Sequence, residues 1–210
     1  MDYISQLTER YPILKANEKA IRDFCDALIR CYEWGGKLLV CGNGGSCADA
    51  EHITGELMKG FLKTRPLSEE RKAQMTAEVP ELEGINLGGL QQGLPAITLN
   101  SGVALTTAFL NDCDPDMLYA QQVLGLGKKG DVFLAISTSG NAKNVFAAAA
   151  VAKSMGMTTI ALTGKTGGKL KDVCDISVIV GESETFMIQE LHLPVYHAVC
   201  ATVEEHFFKE

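Results

Sequence analysis

The chain has no run of 18 apolar residues, so nothing in it reads as a helix able to span a bilayer. Its first residues, Met1-Asp2-Tyr3-Ile4-Ser5, carry neither the basic patch nor the apolar core of a secretory signal. Positive charge is in short supply. Lys and Arg number 19 against 26 Asp and Glu, and the net charge of −7 argues against nucleic acid as a partner. No Cys-x-x-Cys pair occurs among Cys25, Cys31, Cys41, Cys47, Cys113, Cys174 and Cys200, and their number is odd. These read as reduced thiols in a cytoplasmic protein, with Cys47 either reactive or a small filler. Two nucleotide signatures are also missing. Gly42-Asn43-Gly44-Gly45-Ser46 lacks the third glycine of a dinucleotide fingerprint, and there is no Walker loop.

What is present suits one α/β domain with a helical addition: 210 residues, 46% of them hydrophobic, with 21 glycines and only six prolines. Five short apolar runs lie at Lys37–Cys41, Pro95–Leu99, Asp131–Ile136, Thr158–Leu162 and Ile176–Val180. They alternate with helical stretches, which predicts a three-layer, doubly wound sheet of five parallel strands, flavodoxin-like in plan. Residues 1–34 read as a separate helical segment, with Asn17 as an N-cap and Gly35-Gly36 as the stop. Residues 35–210 then form the sheet domain. Within it, 63–93 reads as an insertion with one short helix near 68–78. Further helices are expected over Ala48–Phe61, Ala104–Phe109, Asp116–Leu126, Asn144–Met155 and Thr185–Phe208, the last kinked at Pro194. Asn111 to Pro115 reads as a turn.

The stretch Ala135-Ile136-Ser137-Thr138-Ser139-Gly140-Asn141 joins the third strand to a helix. Such a joint leaves free N–H groups at the positive end of the helix dipole, and three hydroxyls add donors. That combination can hold a phosphate monoester without Lys or Arg. The alternative is an ordinary Ser/Thr N-cap. A second joint of the same kind, Gly42 to Ser46, follows the first strand. In a doubly wound sheet both loops end at the ligand-binding edge and can converge on one molecule.

His52 and Glu56 sit four apart on one helix face, beyond the first glycine loop. Gln189 and His197 lie in the closing helix, where His192 and His206 are also available, and periodicity does not choose among the three histidines. A His and a carboxylate suit proton transfer between adjacent carbons of a sugar phosphate, and a His/Glu/Gln set is compatible with a divalent metal.

Taken together, Cys41-Gly42-Asn43-Gly44-Gly45-Ser46, His52-x-x-x-Glu56, Leu110-Asn111-Asp112, Ile136-Ser137-Thr138-Ser139-Gly140-Asn141, Leu162-Thr163-Gly164 and Ile188-Gln189-Glu190-x-His192-x-x-x-x-His197 resemble the sugar isomerase (SIS) domain. The resemblance is strongest to the phosphoheptose isomerases, which interconvert sedoheptulose 7-phosphate and a heptose 7-phosphate. It runs from about residue 20 to 207, except for 63–93. It implies that Ser137, Thr138 and Ser139 hold the phosphate, and that Asn43, Gly44, Gly45, Ser46, Asn111, Asp112, Gln189 and Glu56 line the sugar. It further implies one Zn2+ per subunit on His52, Glu56, Gln189 and His197, with Glu56 and His197 as the acid–base pair. A homotetramer with active sites between subunits, its leading helices in a central bundle, is implied as well. Phe186 stands where the family has an Asp and Ala142 where it has a Ser, with Glu184 a candidate to replace the lost carboxylate. Isomerases of other phosphosugars and non-catalytic SIS proteins that bind a phosphosugar or a partner are the alternatives; retention of both Glu56 and His197 points to catalysis.

Overall fold

The computed structural model describes residues 1–100 and 102–208. Its centre is a five-stranded, all-parallel sheet in the order β2-β1-β3-β4-β5. The strands are β1 (Leu38–Gly42), β2 (Ala96–Thr98), β3 (Val132–Ser137), β4 (Thr158–Thr163) and β5 (Ile176–Ile179), each within one residue of the run expected to form it. The helices, in chain order, are α1 (Tyr3–Arg10), α2 (Glu18–Glu33), α3 (Gly45–Met58), α4 (Glu69–Glu78), α5 (Val103–Asp112), α6 (Leu118–Leu126), α7 (Lys143–Ser154), α8 (Gly168–Val173) and α9 (Thr185–Phe207).

The three central strands are mostly apolar because both sheet faces are covered there. Leu38, Val40, Val132, Leu134, Ile136, Ile160 and Leu162 pack into one core with α1, α2, α3 and α9. Their neighbours Leu39, Cys41, Phe133, Ala135 and Ala161 pack into the other, against α6 and α7. Register keeps the layers matched: Val40 lies opposite Leu134, and Leu134 opposite Ile160. Each fully buried Leu, Ile or Phe contributes about 1.5–3 kcal/mol, so a one-residue slip, which would exchange the two layers, is strongly disfavoured.

Two local expectations are revised, and one helix forms that the sequence did not suggest. Asn17 does precede α2, but its side chain does not cap it: Asn17 Oδ1 accepts the N–H of Ile179 at 3.0 Å and ties the helix start to β5. Asn111 and Asp112 are not in a turn but in the last turn of α5, where the Asn111 side-chain amide donates to Asp112 Oδ1 at 2.7 Å. The glycine-rich stretch after β4 contains a short helix, α8. α9 runs on through Pro194; the carbonyl left without a donor belongs to exposed Glu190, where water can satisfy it.

The segment after α3 holds α4, which buries none of its residues and is capped by Ser68 Oγ accepting from the N–H of Arg71 at 3.2 Å. A single antiparallel bridge, Pro66 to Gln91, closes its base. Among the described residues no helix is long and apolar enough to cross a membrane.

The strand order reverses between β1 and β3. From β1 the chain crosses to β2 on one side, and from β3 to β4 on the other. Gly42 and Ile136 pair at their carboxyl ends, so the loops that follow leave the sheet side by side. That is the topological switch point, where open α/β sheets bind ligands.

Candidate active site

The two loops do converge. Asn43, Gly44, Gly45 and Ser46 line one cavity with Ser137, Thr138, Ser139 and Ala142, and with Thr185 and Gln189 of α9; its volume is about 370 Å³. Among the described residues no Lys or Arg lines it. Both helices that open onto it lack a side-chain cap: Gly44 is the N-cap of α3 and Ala142 that of α7. Their N-termini therefore offer backbone N–H groups and dipole to an anion. The glycines have definite jobs. A Cβ on Gly45 would fall 2.3 Å from the Gln189 amide nitrogen, so a side chain there would push the Gln189 amide off this loop. A Cβ on Gly140 would fall 1.9 Å from the Gly167 carbonyl, so glycine lets the hydroxyl loop nest against the α8 turn.

Asn43 is held in place by neighbours the sequence did not suggest. Its Oδ1 accepts from Tyr119 O–H at 3.1 Å and from Asn144 Nδ2 at 3.1 Å, while its own Nδ2 donates to Asn144 Oδ1 at 2.9 Å. Tyr119 and Asn100 also reach the Gly42 carbonyl, at 2.9 and 2.8 Å. The end of β1 is thus clamped.

A second group forms further along α3 and α9. Glu56 Oε1 lies 3.1 Å from His52 Nε2, and His197 Nε2 lies 3.4 Å from the same atom. Lys59 Nζ flanks Glu56 Oε2 at 3.4 Å. The His197 ring is boxed by His52, Tyr196 and Phe61, with ring centroids 5.0, 5.1 and 5.4 Å away. Burial, and then the His52 charge, hold its pKa below the ordinary histidine value against the opposing pull of Glu56. A neutral imidazole at neutral pH can accept a proton. Glu56 and His197, about 140 positions apart in sequence, thus abut one side chain.

Within one chain the cavity and this cluster are distinct. His52, Glu56 and His197 do not line the hydroxyl cavity; His197 lines another, of about 360 Å³, with Tyr3, Arg10, Tyr11 and Phe61. Gln189 belongs to the first, about 12 Å of helix rise before His197. Asn111 and Asp112 are exposed on α5 and line neither cavity. The other histidines separate cleanly. His192 is fully buried and, among the described residues, has only the Thr163 backbone near its ring to oppose the desolvation, and His206 pairs with Glu33 at 2.9 Å on the surface. Burial and then Glu51 push the Cys47 thiol pKa up, which lowers its thiolate fraction.

Two supports escaped the sequence reading. Glu204 Oε1 accepts from Phe61 N–H and Arg65 Nε, both at 2.8 Å, and Oε2 accepts from Leu62 N–H at 2.7 Å. Arg65 donates onward to the carbonyls of Leu57 and Glu56, at 2.7 and 3.2 Å. Burial pushes the Glu204 carboxyl pKa up, but the Phe61 and Leu62 amides and Arg65 outweigh it and hold it down. This clasp fixes the end of α3 that carries Glu56 and seats Phe61 against His197. The second support is Tyr196, whose hydroxyl lies 3.2 Å from Asp49 Oδ1 and 3.0 Å from His52 Nδ1. Asp49 stands three before His52 and Tyr196 next to His197, a spacing that could have flagged them. Nothing local marks Arg65 and Glu204.

Comparison with known proteins agrees with this geometry. The chain matches the SIS domain over residues 2–89 and 86–164. It is 40% identical over 171 residues to the phosphoheptose isomerase of a Nitratiruptor species, an alignment covering 81% of this chain and 78% of that protein. It is 38% identical over 194 residues to a phosphoheptose isomerase of Helicobacter pylori, covering 92% and 88%. The structure of a phosphoheptose isomerase from Francisella tularensis superposes with a TM-score of 0.77 at 32% identity, covering 96% of this chain and 93% of that one. On the strength of its paired phosphate-type loops and these likenesses, the chain belongs to the SIS domain family and, within it, to the phosphoheptose isomerases.

Proposed function

We propose that this aldose–ketose isomerase acts on a heptose 7-phosphate, interconverting sedoheptulose 7-phosphate and D-glycero-D-manno-heptose 7-phosphate. The observation that carries the reading is the meeting of Glu56 and His197 at His52, on α3 and α9, two of the helices that line the hydroxyl cavity. Ser137, Thr138 and Ser139, with the N-termini of α3 and α7, grip the phosphate. Asn43, Gly44, Gly45, Ser46 and Gln189 line the sugar. Glu56 and His197 move a proton between the first two carbons through an enediol(ate), one as base at carbon and one as acid at oxygen. Asn111 and Asp112, exposed on α5, belong to the sugar site in the assembled oligomer. We assign that oligomer as a homotetramer with active sites between subunits. Exposed Val103, Leu105 and Leu110 on α5, and Phe186, Met187 and Leu193 on α9, support burial against further copies.

A zinc ion forms part of the proposal. Among the described residues no three His, Cys, Asp or Glu side chains stand as a ready metal cage. The donor types nonetheless fit, and so do two spacings. A tetrahedral zinc with bonds of about 2.0–2.1 Å separates its ligands by about 3.3–3.4 Å, close to the 3.1 and 3.4 Å found about His52 Nε2. His52, Glu56 and His197 would hold the ion, with Gln189, which lies in the other cavity within one chain, as the fourth ligand that the family resemblance implies. When bound it supplies Lewis acidity toward the substrate oxygen at the reacting carbons.

The test is turnover of sedoheptulose 7-phosphate, with and without chelator, by the natural protein, Glu56→Gln and His197→Gln. Loss of turnover in both variants supports the acid–base pair; full turnover in both ends it.

A further inference from the structure

Among the described residues no charged side chain lines the hydroxyl cavity, so an anion held there is met by hydroxyls, amides and helix dipoles alone. A phosphate monoester carries a charge of about −1.5 to −2 at neutral pH. One helix N-terminus offers about half an elementary charge. The uncapped ends of α3 and α7 therefore supply about one between them, which leaves much of the ligand's charge unmet. A third N-terminus on the same cavity narrows that gap, and α9 provides it.

α9 begins at Thr185, and Thr185 lines the cavity together with Ser137, Thr138 and Ser139. The N-cap of α9, Glu184, makes no side-chain cap and does not line the cavity. Among the described residues the first amide of α9 to find an acceptor is that of Ile188, which donates to the Glu184 carbonyl at 2.9 Å. The N–H groups of Thr185, Phe186 and Met187 are the orphan donors of that helix end. The Thr185 hydroxyl has no protein partner among the described residues either. Ala142, at the N-cap of α7, lines the same cavity with a methyl and offers no hydroxyl, so Thr185 adds a donor that the start of α7 lacks.

The first turn of α9 is held rigidly to both loops. Ile188 is fully buried against Gly164, where a Cβ would fall 2.5 Å from its Cγ1 and Cδ1. Gly164 N–H in turn donates to the Thr138 carbonyl at 3.1 Å, which ties that contact to the hydroxyl loop. On the other side Gln189, one turn after Thr185 on the same helix face, lies against Gly45. Donors fixed in this way lose little freedom when a ligand arrives.

We propose that Thr185 and the N-terminus of α9 form a third anchor for the phosphate group of the substrate, beside the hydroxyl loop and the ends of α3 and α7. This deepens the phosphosugar reading above and rests on it.

The experiment titrates the full chain by calorimetry with inorganic phosphate and with sedoheptulose 7-phosphate, in the presence of a chelator so that phosphate on a metal is not counted. Thr185→Val keeps the branched shape and removes the hydroxyl. It should weaken both probes by a similar factor, about tenfold or more, the usual loss for a hydrogen bond to a charged group. Thr185→Ser should bind both as the natural protein does. Thr185→Pro suits the first position of a helix after the extended Glu184 and deletes the amide donor as well, so it should bind phosphate more weakly than Thr185→Val. Thr185→Ala serves if Thr185→Val does not fold. Weaker 7-phosphate binding by Thr185→Val with inorganic phosphate unchanged would put Thr185 on the sugar and overturn the proposal. Unchanged affinity for both probes in Thr185→Val and Thr185→Pro, with Ser137→Ala weakened, would also overturn it while leaving the hydroxyl loop as the phosphate site. Failure of the natural protein to bind either probe would end both readings.

Discussion

The hydroxyl cavity and the Glu56–His197 cluster are built in opposite ways. The cavity comes from two strand–loop–helix joints, and each joint is contiguous in sequence: Gly42 to Ser46 after β1, and Ser137 to Ala142 after β3. Its chemistry is backbone N–H and short hydroxyls, set by local geometry and by two strands that pair at Gly42 and Ile136. The cluster has no local origin. Glu56 and His197 arrive on helices about 140 positions apart, and their meeting depends on an equally distant clasp between Arg65 and Glu204. A cradle of backbone N–H groups and hydroxyls can thus be written into a loop, whereas the meeting of a carboxylate and an imidazole has to be assembled by the whole fold.

That contrast can be broken most severely at the cluster. Glu56→Gln or His197→Gln should lower turnover about 10²–10⁴-fold, the usual span for a lost general acid or base, while phosphosugar binding by calorimetry persists. Unchanged turnover would place the chemistry elsewhere. Next comes the clasp. Arg65→Met leaves Glu204 buried without its cation, and the loss should be about 3–5 kcal/mol in urea unfolding. Turnover should fall with it, because the end of α3 and Phe61 lose their anchor. A stable, fully active Arg65→Met protein would sever the cluster from this support.

The helix between the two regions offers a pH test. Burial lowers His192 from 6.5 to about 4, a pull opposed only by the Thr163 backbone. As pH falls, the unfolded chain takes up this proton first. The stability from a neutral His192 is therefore whole above pH 6.5 and drains away down to about pH 4, by about 3 kcal/mol in all. His192→Leu should flatten that part of the stability profile relative to the natural protein; an identical slope would show that the ring is not buried neutral. The smallest effects belong to the cavity. Ser137→Ala or Ser139→Ala removes one hydroxyl from a charged phosphate, worth about 1.5–3 kcal/mol, and should raise KM about tenfold or more with kcat and unfolding midpoint little changed. A kcat loss without a KM change would move these hydroxyls from binding to catalysis.

The same contrast governs what could be read from the residues alone. All five strands were legible, because Leu38–Val40, Val132–Ile136 and their counterparts are short, apolar and bounded by turn residues. The hydroxyl loop and the glycine loop were legible for the same reason, and the sheet order brought them together. The C-terminal turn of α5 was not, because Asn111 and Asp112 are weak helix formers whose helical state comes from the turn they complete. Asn17 was placed correctly and given the wrong partner, since a side chain that could cap α2 instead met the edge of β5. Periodicity did not choose His197 over His192 and His206, and the family resemblance did; the structure separates the three by burial: one ring faces His52 and Glu56, one is sealed in the core, and one pairs with Glu33 on the surface. The Arg65–Glu204 clasp gave no signal, because a buried ion pair looks in sequence like any two charges.

The most direct test follows solvent deuterium into sedoheptulose 7-phosphate, comparing the natural protein with Glu56→Gln and His197→Gln under conditions where all three still bind the sugar. The account predicts that the natural protein incorporates deuterium at the carbon next to the carbonyl and that neither variant does. Incorporation by both variants at the rate of the natural protein would contradict it.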